Sequence, residues 1–264
     1  MDMTSANKTI AEKVAAFHAA QVAAIERGSN KSADRTRPAD LPPEVTATLG
    51  QRGADTAAKI RSSEDPVGLR SVFGSELAAL NAAGVPADVA TAGLTMPDGD
   101  LLDVDGRRTS LAEAREGQAA VLVFYRGAWC PYCNITLRTY QSELVPALAD
   151  RDVRLIAISP QAPDGSLSMQ EVNELTFTVL SDPGNQVAGK LGILTRPTAD
   201  TRDAQTNMGI DIAAGNADDT DNLPMPTVVI VDAAGVIRWI DVHPDYATRT
   251  ETEQILGALV ATVE

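Results

Sequence analysis

The chain has 264 residues, 44% of them apolar and 22% charged, proportions that exclude wholesale disorder and fit one large domain or one domain with an appendage. Lys and Arg number 22 against 36 Asp and Glu, a net charge of −14, which argues against a nucleic-acid or anionic-membrane binder because neutralising phosphates takes basic surface. No apolar run approaches the about 18 residues of a membrane span, and the opening MDMTSANKTIAEKV lacks the basic-then-apolar order of a secretory signal, so the chain reads as soluble and cytoplasmic.

The first ninety residues are Ala-rich and helical in pattern. Thr4 or Ser5 can cap a segment carrying Ile10, Val14, Phe17, Val22 and Ile25 at helical spacing, and Gly28 ends it. Residues 28–40 are polar and unpatterned, a linker or exposed loop. Pro42-Pro43 opens a second helical stretch through Ile60, and a third runs from Pro66 to Ala83 with Gly84 as its stop. We take 1–91 as a helical N-terminal extension: a small subdomain, a dimerisation arm that would make a homodimer, or a lid. Its composition does not choose among these.

After Gly93 the pattern changes. Leu101 to Val104 reads as a short strand before Asp105-Gly106, and Ala119 to Tyr125 as a continuous apolar, buried strand. Leu137, Tyr140, Leu144 and Leu148 fall three and four apart, an amphipathic helix over 131–149 whose last turn Pro146 should kink or fray. Val153 to Ser159 and Phe177 to Leu180 are two more strands, with a short helix over Gln186 to Leu191. Met225 to Asp232 and Val236 to Val242 read as a hairpin, and Thr250 and Glu253 as the capping box of a last helix. The order predicts an α/β domain over 92–264, a central mixed sheet with helices on both faces.

Chemistry concentrates at Cys130-Pro131-Tyr132-Cys133, which holds both cysteines. With Pro131 at the first helical position, Cys130 becomes the N-cap, and its sulfur can accept from the open N–H groups of Tyr132 and Cys133. Those donors and the positive helix end favour the thiolate. Cys133 lies one turn on along the same face, so the two sulfurs can close a disulfide: an attacking and a resolving thiol. Tetrahedral zinc would need four ligands. There is no second cysteine pair, and His18 and His243, the only histidines, lie far apart in the chain and read as surface or packing residues. Asp98 to Asp105 fails as a calcium loop because the ligand count back from Gly106 puts Leu101 first and Ala112 twelfth. No metal and no cofactor is implied.

The segment VLVFYRGAWCPYCN, residues 121–134, resembles the peroxiredoxin-like (AhpC/TSA) branch of the thioredoxin superfamily. The likeness continues through LIAISPQ at 155–161, LSDPGN at 180–185, LPMPT at 223–227 and HPDY at 243–246, so it covers about 92–262. The resemblance implies a thioredoxin-like fold, a dithiol at the start of its first long helix, and a cis-proline at Pro226 facing it. It further implies that the Met225 backbone, with Thr227, meets an incoming thiol or peptide, while Trp129 and Tyr125 wall the site; core packing is the alternative for those two aromatics. Aligning Cys133 with the family's peroxide-attacking cysteine puts Arg126 at its proline, Cys130 at its threonine and Thr136 at its glutamate, and the family's distant arginine falls near Pro226. Arg126 then either supplies positive charge to a thiolate and peroxide or makes a surface ion pair. The helix-end argument makes Cys130 the attacker; the alignment makes it Cys133.

The expected function is an oxidoreductase: a thiol peroxidase taking a hydroperoxide substrate, reset by a thioredoxin-like or other dithiol reductant. Thiol–disulfide exchange by the same pair is the alternative, and a non-catalytic redox-sensing module a third.

Overall fold

The structure is a computed structural model that describes residues 66–163 and 169–263, together with Thr9, Ile10, Glu12 and Ala16. The two expected helices before residue 61 and the linker between them lie outside these residues, apart from Ile10 and its three described neighbours. Ile10 is buried in one cluster with Ile255 and Leu259, and its N–H donates to Glu251 at 2.7 Å. The third expected helix is present as α1, Pro66–Ala83, and stops at Gly84, whose φ of 67° suits the residue that ends a helix.

The elements that follow are β1 (Leu101–Leu102), β2 (Arg108–Thr109), α2 (Leu111–Arg115), β3 (Ala119–Phe124), α3 (Pro131–Thr139), α4 (Val145–Leu148), β4 (Val153–Ser159) and α5 (Met169–Val172). Then come β5 (Thr178–Ser181), α6 (Gln186–Lys190), β6 (Leu194–Thr195), α7 (Ala199–Asn207), α8 (Ile212–Gly215), β7 (Leu223–Pro224), β8 (Thr227–Val231), β9 (Ile237–Val242) and α9 (Thr252–Thr262). The acidic stretch before β1 serves a helix: the Asp98 carboxylate accepts the N–H groups of Leu111 and Ala112 at 2.7 and 3.0 Å, at the open end of α2.

Seven strands form one mixed sheet in the order β2-β1-β5-β4-β3-β8-β9. Strands β3, β4 and β5 run parallel, while β8 joins β3 antiparallel and closes a hairpin with β9. Alternation along β3 sends Val121 and Val123 to one face, with α3 and α9, and Ala120, Leu122 and Phe124 to the other, with Leu101, Leu111 and α6. Both faces are covered, which is why β3 reads as one unbroken apolar run. The parallel strands end at the level where α3 begins, which places both cysteines at the carboxyl edge of the sheet. Among the described residues no helix is long and apolar enough to cross a membrane.

Two local expectations shift. Pro146 was expected to disturb the end of its helix; the disturbance lies upstream, as a π-helical turn over Tyr140–Leu144 in which the Val145 N–H reaches back to the Tyr140 carbonyl. Pro146 has no N–H for the carbonyl four residues before it, and widening the turn absorbs that mismatch. The final capping box is one residue later than expected: Glu251 is the N-cap and its N–H donates to Gln254 Oε1 at 2.8 Å. Thr250 is released for another use. Its hydroxyl donates to Asp241 at 2.8 Å, and its carbonyl accepts from Tyr140 Oη at 2.7 Å.

Candidate active site

The site begins where β3 runs out. Tyr125 still donates its N–H to Ile158 O, at 2.9 Å, and the chain then turns through Gly127, whose φ of 149° is open to glycine alone at low cost. A Cβ there would stand 2.5 Å from Trp129 Nε1. Gln161 Oε1 accepts the Ala128 N–H at 2.7 Å, and Asn134 Nδ2 donates to both Ala128 O and Cys130 O at 2.9 Å, so the loop is tied to β4 and α3 together. As expected, Cys130 is the N-cap and Pro131 the first helical residue. The cap is not made by sulfur: the Cys130 side chain forms no cap hydrogen bond, and its carbonyl takes the N–H groups of Cys133 and Asn134 at 3.1 and 3.2 Å.

That difference moves the anion from one cysteine to the other. Both thiols are free and buried, at 1% and 0% exposure for Cys130 and Cys133. Burial pushes the Cys130 thiol well up, and the hydrogen bond it gives Cys133 and the charge there push it further. Burial also raises Cys133, but the Cys130 S–H, the charge of Arg249, the Arg126 N–H and the Arg126 charge overcome it and hold Cys133 down at about 5. These surroundings favour the anion on Cys133 and the proton on Cys130. The helix-end reasoning that made Cys130 the attacker loses its premise, since the Cys130 side chain makes no cap hydrogen bond.

Two buried guanidiniums face this anion. Arg249 Nη2 donates to Cys133 Sγ at 3.4 Å, while its Nη1 is held by the carbonyls of Tyr246 and Thr248. Arg126 is 4% exposed, its Cζ 4.1 Å from the Tyr246 ring centroid and 5.1 Å from that of Trp129. The surface ion pair considered for Arg126 is thus excluded. Among the described residues Arg126 makes no carboxylate contact, and its Nε has no hydrogen-bond partner. Trp129 sits between Arg126 and an apolar cluster that includes Leu69 and Phe73 of α1, Met208 and Leu223.

A cavity opens beside Cys133, lined by Tyr125, Thr136, Tyr140, Pro226, Thr227, His243, Arg249 and Thr250 among others. Pro226 and Thr227 line the cavity, and Met225 is not among its lining residues. Its N–H donates to Ile193 O at 2.7 Å and its carbonyl accepts Thr227 Oγ1 at 2.8 Å, so the N–H is already taken. The Met225–Pro226 bond is also trans, as are all peptide bonds among the described residues. Trans is the lower-energy isomer by about 0.5–1 kcal/mol, and the Met225 bonds extend the β6–β7 pairing without a reversal. Tyr125 both packs in the core and walls the cavity.

Sequence reasoning missed four contributors. Arg249 lies three residues past the HPDY stretch and is the only Lys or Arg after Arg238, a faint signal that was available. His243, read as a surface or packing residue, bonds Thr248 Oγ1 through Nδ1 at 2.8 Å and Asp241 Oδ2 through Nε2 at 3.0 Å. Tyr246 lies over Arg126, and burial together with the charge of Glu76, a buried carboxylate brought in by α1, pushes its phenol up. Glu76 Oε1 also accepts the Thr198 N–H at 3.1 Å, so the extension reaches the site through α1. His18 lies outside the described residues, and no three metal-ligating side chains gather among those described.

The AhpC/TSA family pattern matches residues 92–240. Peroxiredoxin Bcp of Escherichia coli K12 is 32% identical over 105 residues, 39% of this chain and 64% of that protein. The chain spans about 60% of the length of the first curated relatives it matches. Among solved structures, a thiol peroxidase from Chromobacterium violaceum superposes with a TM-score of 0.51 at 15% identity, over 67% of this chain and 90% of that one. Peroxidoxin BcpB from Mycobacterium tuberculosis gives a TM-score of 0.46 at 20% identity, over 64% and 96%. The first of these structural likenesses shows the fold, a thioredoxin-like mixed sheet between helices.

Proposed function

Because this chain belongs to the AhpC/TSA family, the peroxiredoxin-like branch of the thioredoxin superfamily, we propose that it is a thiol peroxidase that reduces hydrogen peroxide or organic hydroperoxides through a Cys133–Cys130 cycle. The observation that carries this reading is the Arg249 guanidinium 3.4 Å from Cys133 Sγ at the wall of a cavity. A thiolate is the nucleophile the reaction needs, and the same cation can polarise the O–O bond of a peroxide that enters the cavity beside them.

The steps follow from the charges. Cys133 Sγ⁻ attacks the terminal peroxide oxygen; the S–O bond forms, the O–O bond breaks, and the alkoxide or hydroxide leaves and takes a proton. Cys133 is now a sulfenic acid. With the anion gone, the Cys130 thiol gives up its proton and attacks the Cys133 sulfur; the S–S bond forms and hydroxide departs to become water. An external dithiol, thioredoxin or a protein like it, restores both thiols by exchange. The domain over 92–264 carries this chemistry, with Arg126, Trp129, Pro226 and Thr227 around the reacting sulfur, and a reducing cytoplasm supplies the reductant. Exchange with protein disulfides as the main activity is disfavoured, since both sulfurs are buried and the Met225 N–H is already given to Ile193.

Stopped-flow oxidation of the reduced protein by hydrogen peroxide and cumene hydroperoxide tests the proposal. Rates well above free cysteine, with repeated turnover on a dithiol donor, are expected. Rates no faster than free cysteine would remove it, and a single oxidation per chain under every donor would leave a redox sensor instead.

A further inference from the structure

We infer that His243 is the proton source for the leaving oxygen, acting through the Thr250 hydroxyl; this rests on the peroxidase reading above. Displacement leaves an oxygen anion in a cavity walled by protein, and protonation of that anion by a placed group accelerates the step. Thr250 is 1% exposed and lines the cavity with Cys133 and Arg249. Its Oγ1 lies 3.4 Å from His243 Nε2 and 2.8 Å from Asp241 Oδ2. The His243 side chain is 19% exposed, so the ring joins the cavity to solvent.

The hydrogen bonds say which nitrogen gives up its proton. The Thr248 hydroxyl donates to Asp245 O at 2.9 Å, so its oxygen accepts from His243 Nδ1–H at 2.8 Å. Nδ1 keeps its proton, and Nε2 is the nitrogen free to lose one and regain it. In the doubly protonated ring, Nε2–H points to the Asp241 carboxylate at 3.0 Å. As the O–O bond breaks, the Thr250 O–H turns from Asp241 to the leaving oxygen and passes on its proton, and His243 Nε2–H replaces it. The balance is closed: thiolate, hydroperoxide and imidazolium give sulfenic acid, alcohol or water, and neutral imidazole. The ring then takes a proton from water at its exposed edge, and the Thr250 O–H can donate to bare Nε2 meanwhile. Asp241 holds the ring in register through its contact with Nε2.

The test separates oxidants by what they release. Hydrogen peroxide releases hydroxide, a strong base that needs a proton as it leaves, whereas peracetic acid releases acetate, which leaves as a stable anion and needs no proton. In the full-length reduced chain, His243→Gln is expected to slow oxidation of Cys133 by hydrogen peroxide at least about tenfold and by peracetic acid less than about twofold. Thr250→Val, which keeps the carbonyl that holds Tyr140, is expected to show the same split and serves if the first variant does not fold. Equal slowing with both oxidants would assign His243 and Thr250 a structural role and overturn the relay, as would no slowing with either. Oxidation of the unaltered chain no faster than free cysteine by either oxidant would instead overturn the peroxidase reading and the relay with it.

Discussion

Arg249 Nη2 lies 3.4 Å from Cys133 Sγ across 116 residues of sequence, and two backbone carbonyls fix the same guanidinium from the other side. The fork geometry matters as much as the charge, since one side chain must satisfy three acceptors in different directions. Arg249→Met removes both. Its Cys133 is expected to ionise about one to three pH units higher, with a fall of at least about tenfold in the rate of iodoacetamide alkylation near neutral pH. Arg249→Lys should restore only part of that rate. Alkylation unchanged in the Met variant would show that Arg126 and the backbone suffice.

The two cysteines also make stability depend on pH in a set direction. Cys133 ionises near 5 in the folded chain against an ordinary 9.0. Between those values the unfolded chain holds a proton that the native chain does not, so stability rises with pH and is lost as pH falls towards 5. Cys130 is displaced the other way, so above pH 9 the unfolded chain releases a proton the native chain keeps, and stability falls again. Urea unfolding of the reduced protein, relative to its disulfide form, should therefore show a difference that peaks near pH 9. A flat difference from pH 5 to 10 would contradict the assignment.

Gly127→Ala combines a backbone strain with a steric clash. The residue's φ is 149°, and the added Cβ would meet Trp129 Nε1 at 2.5 Å and Gln161 Oε1 at 3.1 Å. A cost of about 1–3 kcal/mol follows from the conformation alone, and Trp129 must move from beneath Arg126. Thermal unfolding and Trp fluorescence together check this: a lowered midpoint with altered emission is expected, and an unshifted pair would show the loop to be adaptable.

Tyr140→Phe isolates the tie between the π-helical turn and the Arg249 loop. The Tyr140 hydroxyl donates to Thr250 O at 2.7 Å with both residues buried, so its removal leaves a carbonyl without that partner. A loss of about 1–3 kcal/mol is expected, read by urea denaturation. An unchanged midpoint would mean that the loop is held by its other bonds.

Much of the frame was legible because it rests on local rules. The apolar run at 119–124, the Cys-Pro start of α3 and the hairpin at its Ala-Ala-Gly turn each announce themselves within a few residues. The electrostatics were legible only in part: Arg126 stands four residues before Cys130, but Arg249, whose guanidinium reaches Cys133, belongs with the bonds that orient it to the loop after β9, and no spacing rule links it to residue 133. Local reasoning also misjudged the Cys130 sulfur, since being the N-cap residue does not oblige a side chain to cap. Thr250 shows the same limit: its spacing to Glu253 fitted a capping box, yet Asp241, nine residues earlier, claims its hydroxyl.

The assignment of the anion to Cys133 is tested most directly by ultraviolet thiolate absorbance against pH in Cys130→Ser and Cys133→Ser. Serine at 130 keeps a hydroxyl donor towards Cys133, so that variant should carry a thiolate with a midpoint well below 7. The Cys133→Ser variant should show none until above about 9, where an ordinary or raised thiol ionises. A low midpoint in Cys133→Ser with a high one in Cys130→Ser would contradict the account and return the nucleophile to the helix cap.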